Sequence, residues 1–352
     1  MNKRTLTGAT TALALCLGMA ACGDDGGDAT PLGLSHAEVR GQYGEAMEGW
    51  LREGRAVVDS LIAGKIGEVY DRTSPEVKAQ VTLAEVEQLF RDATARGEIG
   101  ARQEDRAVPL GPDRGLYWAD HAWADGRVRF TLAFTPSGLQ PTVEPVRPLP
   151  PDPREGRPAR ARLRLPFEGL WWAFEGPSPE IGAHHAVAPD QRHAYDFAIW
   201  RDGGTYRGSG ADNADYWCWG EPVLAPASAE VVSVRDGISD NRPGVETNTA
   251  QATGNHVILD LEGDEYAFLA HFQKGSITVA QGDRVDAGEV LGKCGNSGNS
   301  SEPHIHFHLQ DRPTFQQGGE VGLPLRFDDY VADGVHHQQG TPSSGQFVSP
   351  KA

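Results

Sequence analysis

Between residues 147 and 164 the chain sets Pro148, Pro150, Pro151 and Pro153 beside Arg154, Arg157, Arg160, Arg162 and Arg164. Proline removes backbone donors and arginine resists burial, so such a segment is stiff, extended and unable to build a core. It reads as a linker that divides the chain into two units. With 352 residues, 39% of them hydrophobic, each side has enough apolar material for a core of its own. A formal net charge of −17 argues against a nucleic-acid partner, because a polyanion needs a dense basic surface.

The N-terminal side opens with residues 1–22. Lys3 and Arg4 precede a short apolar run from Leu6 to Leu17, and Met19-Ala20-Ala21-Cys22 follows. That run is too short to span a bilayer as a mature helix and reads as an export signal. The last four residues resemble a bacterial lipobox, with Met19 where Leu is usual. The resemblance implies a lipid anchor at Cys22, holding the exported chain to a membrane; plain secretion is the alternative. Residues 23–34 are a Gly/Asp-rich tether. Cys16 leaves with the signal, so Cys218 and Cys294 remain. In an oxidising compartment they are expected to be bridged, with two buried thiols as the other reading.

Residues 35–146 read as a small α+β domain. Helix starts lie at Ser35, at Ser74-Pro75-Glu76 and at Thr82, which has Glu85 three residues on. Strand patterns follow around Leu116-Tyr117-Trp118 and at Val128, Phe130, Leu132 and Phe134, with the turn signal Asp125-Gly126 between them. The order of helices and then an antiparallel sheet resembles nuclear-transport-factor-like domains, and no acid–base constellation accompanies it. From residue 165 to 334 helix signals almost vanish. Short strands such as Glu230–Val234, His256–Asp260 and Glu265–Phe272 alternate with Gly, Asn and Asp turns, which predicts an all-β antiparallel domain. Residues 335–352 are polar and read as an unstructured tail with at most a terminal strand.

The chemistry concentrates at His304-Ile305-His306-Phe307-His308, after a loop rich in Gly, Asn and Ser. On a strand, residues two apart share a face, so three imidazoles line one side. Like groups so crowded repel when protonated and lose hydration when buried. A metal ion or a catalytic use makes the row sensible; a surface row without a role is the plainer alternative.

The stretch GEVLGKCGNSGNSSEPHIHFHL (288–309) resembles the signature of the lysostaphin/LytM-type zinc peptidases, a His-x-His strand after a Gly-Asn-Ser loop. Further landmarks follow the family's order: WGEPVLAPASAEVV (219–232), GNHVILDLEGDEYAFLAHF (254–272) and QGDRVDAGEVLG (281–292). The resemblance implies an antiparallel peptidase domain that binds Zn²⁺ and cleaves the peptide stems of peptidoglycan, with zinc-bound water as the nucleophile. It implies His306 and Asp196 as metal ligands, and His304 and His271 as catalytic histidines; His308 has no counterpart as a ligand. The family usually places the first His ligand four residues before the Asp, where this chain has Arg192. A subgroup with a His six residues before the Gln points instead to His185, on a loop flanked by Gly182 and Pro189. His193 is the alternative ligand, and loss of the third ligand would make the chain a non-catalytic, wall-binding or hydrolase-activating protein.

Overall fold

The computed structural model describes residues 36–352 apart from 96, 112–113, 124–125, 147–151, 155, 177–184, 186–187, 203, 316–318 and 352. The expected signal, tether and Cys22 anchor therefore lie outside the described residues, as does His184. Among the described residues, no helix is long and apolar enough to cross a membrane.

The N-terminal unit packs four helices, α1 (His36–Ile62), α2 (Ile66–Asp71), α3 (Pro75–Gln80) and α4 (Leu83–Thr94), against four strands. The strands are β1 (Ile99–Gly111), β2 (Arg114–Trp123), β3 (Gly126–Thr135) and β4 (Gly138–Val146), paired in sequence order as an antiparallel meander. Two of the predicted helix starts have side-chain causes. The Ser74 hydroxyl accepts from the Val77 amide at 3.4 Å, with Pro75 at the first helical position. Before α4, the Thr82 amide donates to Glu85 at 2.8 Å and the Glu85 amide donates back to the Thr82 hydroxyl at 3.4 Å. Trp123 pairs with Gly126 across the β2–β3 hairpin. Val58, Tyr117, Phe130 and Leu132 are completely buried between helices and sheet.

The C-terminal unit is a ten-stranded sheet with a two-stranded annex. In chain order its strands are β5 (Trp171–Glu175), β6 (Tyr195–Ala198), β7 (Pro222–Leu224), β8 (Ala229–Arg235), β9 (Asn255–Asp260) and β10 (Tyr266–Phe272). Then come β11 (Arg284–Val285), β12 (Val290–Lys293), β13 (Ile305–Gln310), β14 (Phe327–Ala332), β15 (Val335–Gly340) and β16 (Gln346–Pro350). The sheet runs β11-β8-β9-β10-β13-β6-β5-β16-β14-β15, and β12 pairs with β7 beside it. Every strand pair of the sheet among the described residues is antiparallel, as the turn-rich pattern predicts. The small α+β unit followed by an antiparallel β domain is the predicted fold class. Leu259, Leu269, Phe307 and Phe327 are completely buried in its core.

Two boundaries differ from the sequence reading. Residues 335–352 are not a free tail: β15 and β16 belong to the sheet, and β16 inserts between β5 and β14 with Phe347 and Val348 buried. The arginine-rich linker, in turn, docks at its C-terminal end. The Arg160 and Ala161 amides donate to the Glu265 carboxylate at 2.8 and 2.9 Å, and Leu163 is buried beside Phe327.

Candidate metal and peptidase site

The site is built where β6, β13 and β10 lie side by side. In the β6–β13 ladder Asp196 stands directly opposite His306, and in the β13–β10 ladder His306 stands opposite Ala270. Directly opposed residues in an antiparallel pair project to one face with close Cβ atoms. His306 Nδ1 accordingly lies 2.8 Å from Asp196 Oδ1. His304, just before β13, brings Nε2 within 3.5 Å of the same oxygen. His185 reaches in from its loop, with Nε2 3.6 Å from Asp196 Oδ2.

His193 does not join this group. Its Nε2 is 2.9 Å from Asp152 at the linker, and it sits in the turns that precede β6 rather than on the strand itself. His308, on the site face of β13, lies beyond His306 rather than beside Asp196, with Nδ1 3.0 Å from His306 Nε2.

His271 owes its position to a backbone irregularity. It has φ +67°, and the β9–β10 register shifts between Leu269 and Phe272. This bulge at the end of β10 turns the ring toward His304, with ring centroids 4.8 Å apart. The Gly/Asn/Ser loop then fixes its hydrogen. Gly254 has φ +58°, and a Cβ there would overlap the backbone of Ser297; without one, Ser297 approaches closely. The Ser297 hydroxyl accepts from the Asn255 amide at 2.9 Å and donates to Phe272 O at 2.8 Å. Its carbonyl oxygen lies 2.7 Å from His271 Nδ1. A carbonyl only accepts, so Nδ1 carries the hydrogen and Nε2 is the free nitrogen of the neutral ring. His304 is held alike, with Nδ1 2.8 Å from the Glu302 carbonyl oxygen and Nε2 turned toward Asp196.

All five of these side chains are buried, lining a cleft of about 370 Å³ with Phe174 and Phe315 also in its wall. Burial alone pushes the Asp196 carboxyl up. The imidazoles of His185 and His304, with hydrogen bonds from His304 and His306, outweigh it and hold the carboxyl well below its usual range. Burial, then the neighbouring His304 and His306, press His271 well below the usual imidazole range. His304 goes the other way: burial lowers it, but Asp196 and the Glu302 carbonyl raise it more.

Two overlapping donor groups result, His185–Asp196–His306 and His271–His304–His306, each with its ligand atoms within 4.8 Å of one another. The first has the carboxylate that offsets a cation's charge, so the donor chemistry fits a divalent ion there. Sequence reasoning missed Glu175, whose Oε2 lies 3.3 Å from His185 Nδ1 at the end of β5. Carboxylates commonly orient a ligating imidazole in this way. No local motif announces Glu175, because only the pairing of β5 with β6 brings it near.

Cys218 and Cys294 are thiols rather than the expected bridge. They are nonetheless neighbours: the Cys294 thiol donates to Cys218 Sγ at 3.0 Å, and Cys218 donates to the Pro303 carbonyl at 3.0 Å. The pair thus contacts both ends of the loop that leads to His304.

The sequence profile of peptidase family M23 matches residues 214–318, which contain His271, His304 and His306 but neither His185 nor Asp196. Endolysin 2638A of Staphylococcus phage 2638A is 38% identical over 96 residues, covering 26% of this chain and 20% of the endolysin. The match thus spans one fifth of that relative's length. The catalytic domain of the prophage-encoded protein EnpA from Enterococcus faecalis aligns at 22% identity and TM-score 0.25, over 36% of this chain and 72% of its own. The catalytic domain of lysostaphin from Staphylococcus simulans aligns at 22% identity and TM-score 0.25, over 41% of this chain and 82% of its own. Over residues 214–318 the chain is thus similar to peptidase family M23.

Proposed function

We propose that this chain is an exported zinc endopeptidase that hydrolyses peptide bonds in the cross-links of peptidoglycan, tethered to a membrane by lipid at Cys22. The observation that supports it most is the convergence of His185, Asp196 and His306 from three separate segments, with His271 and His304 beside them. Two imidazoles and one carboxylate leave a coordination position open, the pattern of hydrolytic rather than structural zinc. A bound Zn²⁺ would supply Lewis acidity to a water molecule and to the scissile carbonyl.

The chain's own residues do the rest. Asp196 contributes negative charge to the ligand set, and Glu175, 3.3 Å from the far nitrogen of His185, is placed to orient that ring. His271 presents an unprotonated Nε2 to the cleft, suited to accepting a proton from the attacking water. His304, whose affinity for a proton is raised by Asp196, is suited to hydrogen-bonding the oxyanion and passing a proton to the departing amine. Phe174 and Phe315 add apolar surface to the cleft wall beside these groups.

The deciding substitution is His185→Ala, compared with His193→Ala in the mature protein. His185→Ala is expected to lose stoichiometric zinc and the release of peptide fragments from purified sacculi, while His193→Ala keeps both. The reverse result would make His193 the ligand. Full zinc with no fragment release in the unsubstituted protein would favour the non-catalytic reading.

A further inference from the structure

The site face of β13 continues past His306. His308, which has no counterpart as a ligand in the family resemblance, and Gln310 are buried on it, at 1% and 0% exposure. They form an unbroken line of hydrogen bonds away from Asp196. His306 Nε2 is 3.0 Å from His308 Nδ1, and His308 Nε2 is 2.9 Å from Gln310 Oε1. Gln310 Nε2 then donates to the carbonyl oxygens of Arg312, at 2.7 Å, and Thr314.

The far end sets the direction of the whole line. Backbone carbonyls only accept, so the two hydrogens of the Gln310 amide are spent on Arg312 and Thr314, which settles the orientation of that amide. Its oxygen must therefore accept, and His308 Nε2 must carry a hydrogen. A neutral His308 ring then has its lone pair on Nδ1, directed at His306 Nε2. That contact needs a hydrogen on His306 Nε2; in the neutral ring the Nδ1 lone pair is then directed at Asp196 Oδ1, 2.8 Å away, and only a second ring proton or a cation satisfies the contact. Two acceptors so close repel one another unless a proton or a metal cation lies between them, and a divalent cation takes that proton's place.

We propose that His308 and Gln310 are positioning residues: a relay anchored on two backbone carbonyls that keeps hydrogen on His306 Nε2 and presents its Nδ1, opposite Asp196, to a divalent cation. The relay rests on the zinc reading above, but its hydrogen-bond direction is measurable without the metal. Without it, the His306 ring would divide between two tautomers, and only one offers Nδ1 as a ligand.

The test uses the mature chain, with zinc affinity measured by chelator competition and ring hydrogens located by long-range ¹⁵N–¹H correlation spectra of the metal-free protein. The spectra are expected to show hydrogen on His306 Nε2 and none on His308 Nδ1. His308→Leu and Gln310→Leu are expected to weaken zinc binding roughly 10–100-fold, the usual effect of losing a group that orients a ligand. His308→Glu, a pure acceptor for His306 Nε2–H, is expected to restore most of that affinity; a general packing role would not give this recovery. Hydrogen on His308 Nδ1 with His306 Nε2 bare would overturn the relay, as would undiminished zinc affinity in both leucine variants. If a leucine variant does not fold, the spectra of the unsubstituted protein decide. If the unsubstituted chain binds no zinc, the metal reading fails and the spectra still judge the relay.

Discussion

The two halves of the molecule each hold a cavity of similar size and opposite chemistry. In the N-terminal unit, Leu61, Ile66, Val86, Phe90 and Trp123 help to wall about 420 Å³ of mostly apolar space. In the C-terminal unit, about 370 Å³ is lined by His185, Asp196, His271, His304, His306 and His308. The first cavity makes few demands on its surroundings, because apolar walls need only contact, and dispersion does not depend on direction. The second demands a partner for every nitrogen and oxygen, since an unpaired buried polar atom costs about 1–3 kcal/mol. Hence the cleft is tied to the Ser297 and Glu302 carbonyls and to Gln310, while the apolar cavity is bounded by whatever side chains happen to fit. Substitutions should be tolerated in the one and not in the other.

The largest effect is expected from His306→Ala. It removes a donor shared by both candidate groups, and two remaining ligands hold a zinc ion poorly. Loss of both zinc, by elemental analysis, and fragment release from sacculi is the expected outcome; zinc retained at full stoichiometry would take His306 out of the site. Next come His304→Ala and His271→Ala, expected to keep zinc while slowing turnover by roughly 10²–10⁴-fold, the range for a positioned acid–base group. Metal loss in the His304 variant would mean that ligand and catalyst are exchanged. The smallest effect belongs to the apolar cavity. Ile66→Val is expected to destabilise the N-terminal unit by about 0.5–1.5 kcal/mol, read from a denaturant midpoint, with fragment release unchanged. A tenfold fall in hydrolysis would show the two regions to be coupled, and the contrast between them would fail.

Much of this contrast could be read before any fold was known, because it is written in local pattern. The Thr82–Glu85 capping box and the Ser74-Pro75 start are reciprocal contacts within one turn, and both are present. The His-x-His row projects from one strand face because the period of a strand is two, so His304, His306 and His308 could be grouped from spacing alone. What stayed hidden depends on distant partners. Glu175 meets His185 only through the β5–β6 pairing, and no signal near Glu175 marks it. β16 joins β5 across more than a hundred and sixty residues, as in the pair Gln346 and Ala173. β15 lies at the sheet edge with both faces largely wetted, so Val335-His336-His337-Gln338-Gln339 carries no apolar alternation and reads as a tail. The role of Gln310 depends on which way hydrogens run, and composition does not carry that information.

The left-handed backbone at His271 sets stability against activity at a single position. An L-residue with φ near +67° carries roughly 1–2 kcal/mol of steric penalty that glycine would not feel. Backbone conformation by itself therefore favours glycine there, and the proposed chemistry of the cleft is what argues for imidazole. A lineage released from the need to cut its substrate would find glycine at 271 close at hand, relieving the backbone while the ring disappears. Under the proposed peptidase function, histidine at 271 trades backbone ease for a ring in the cleft, and glycine there in a related chain would mark the loss of that trade.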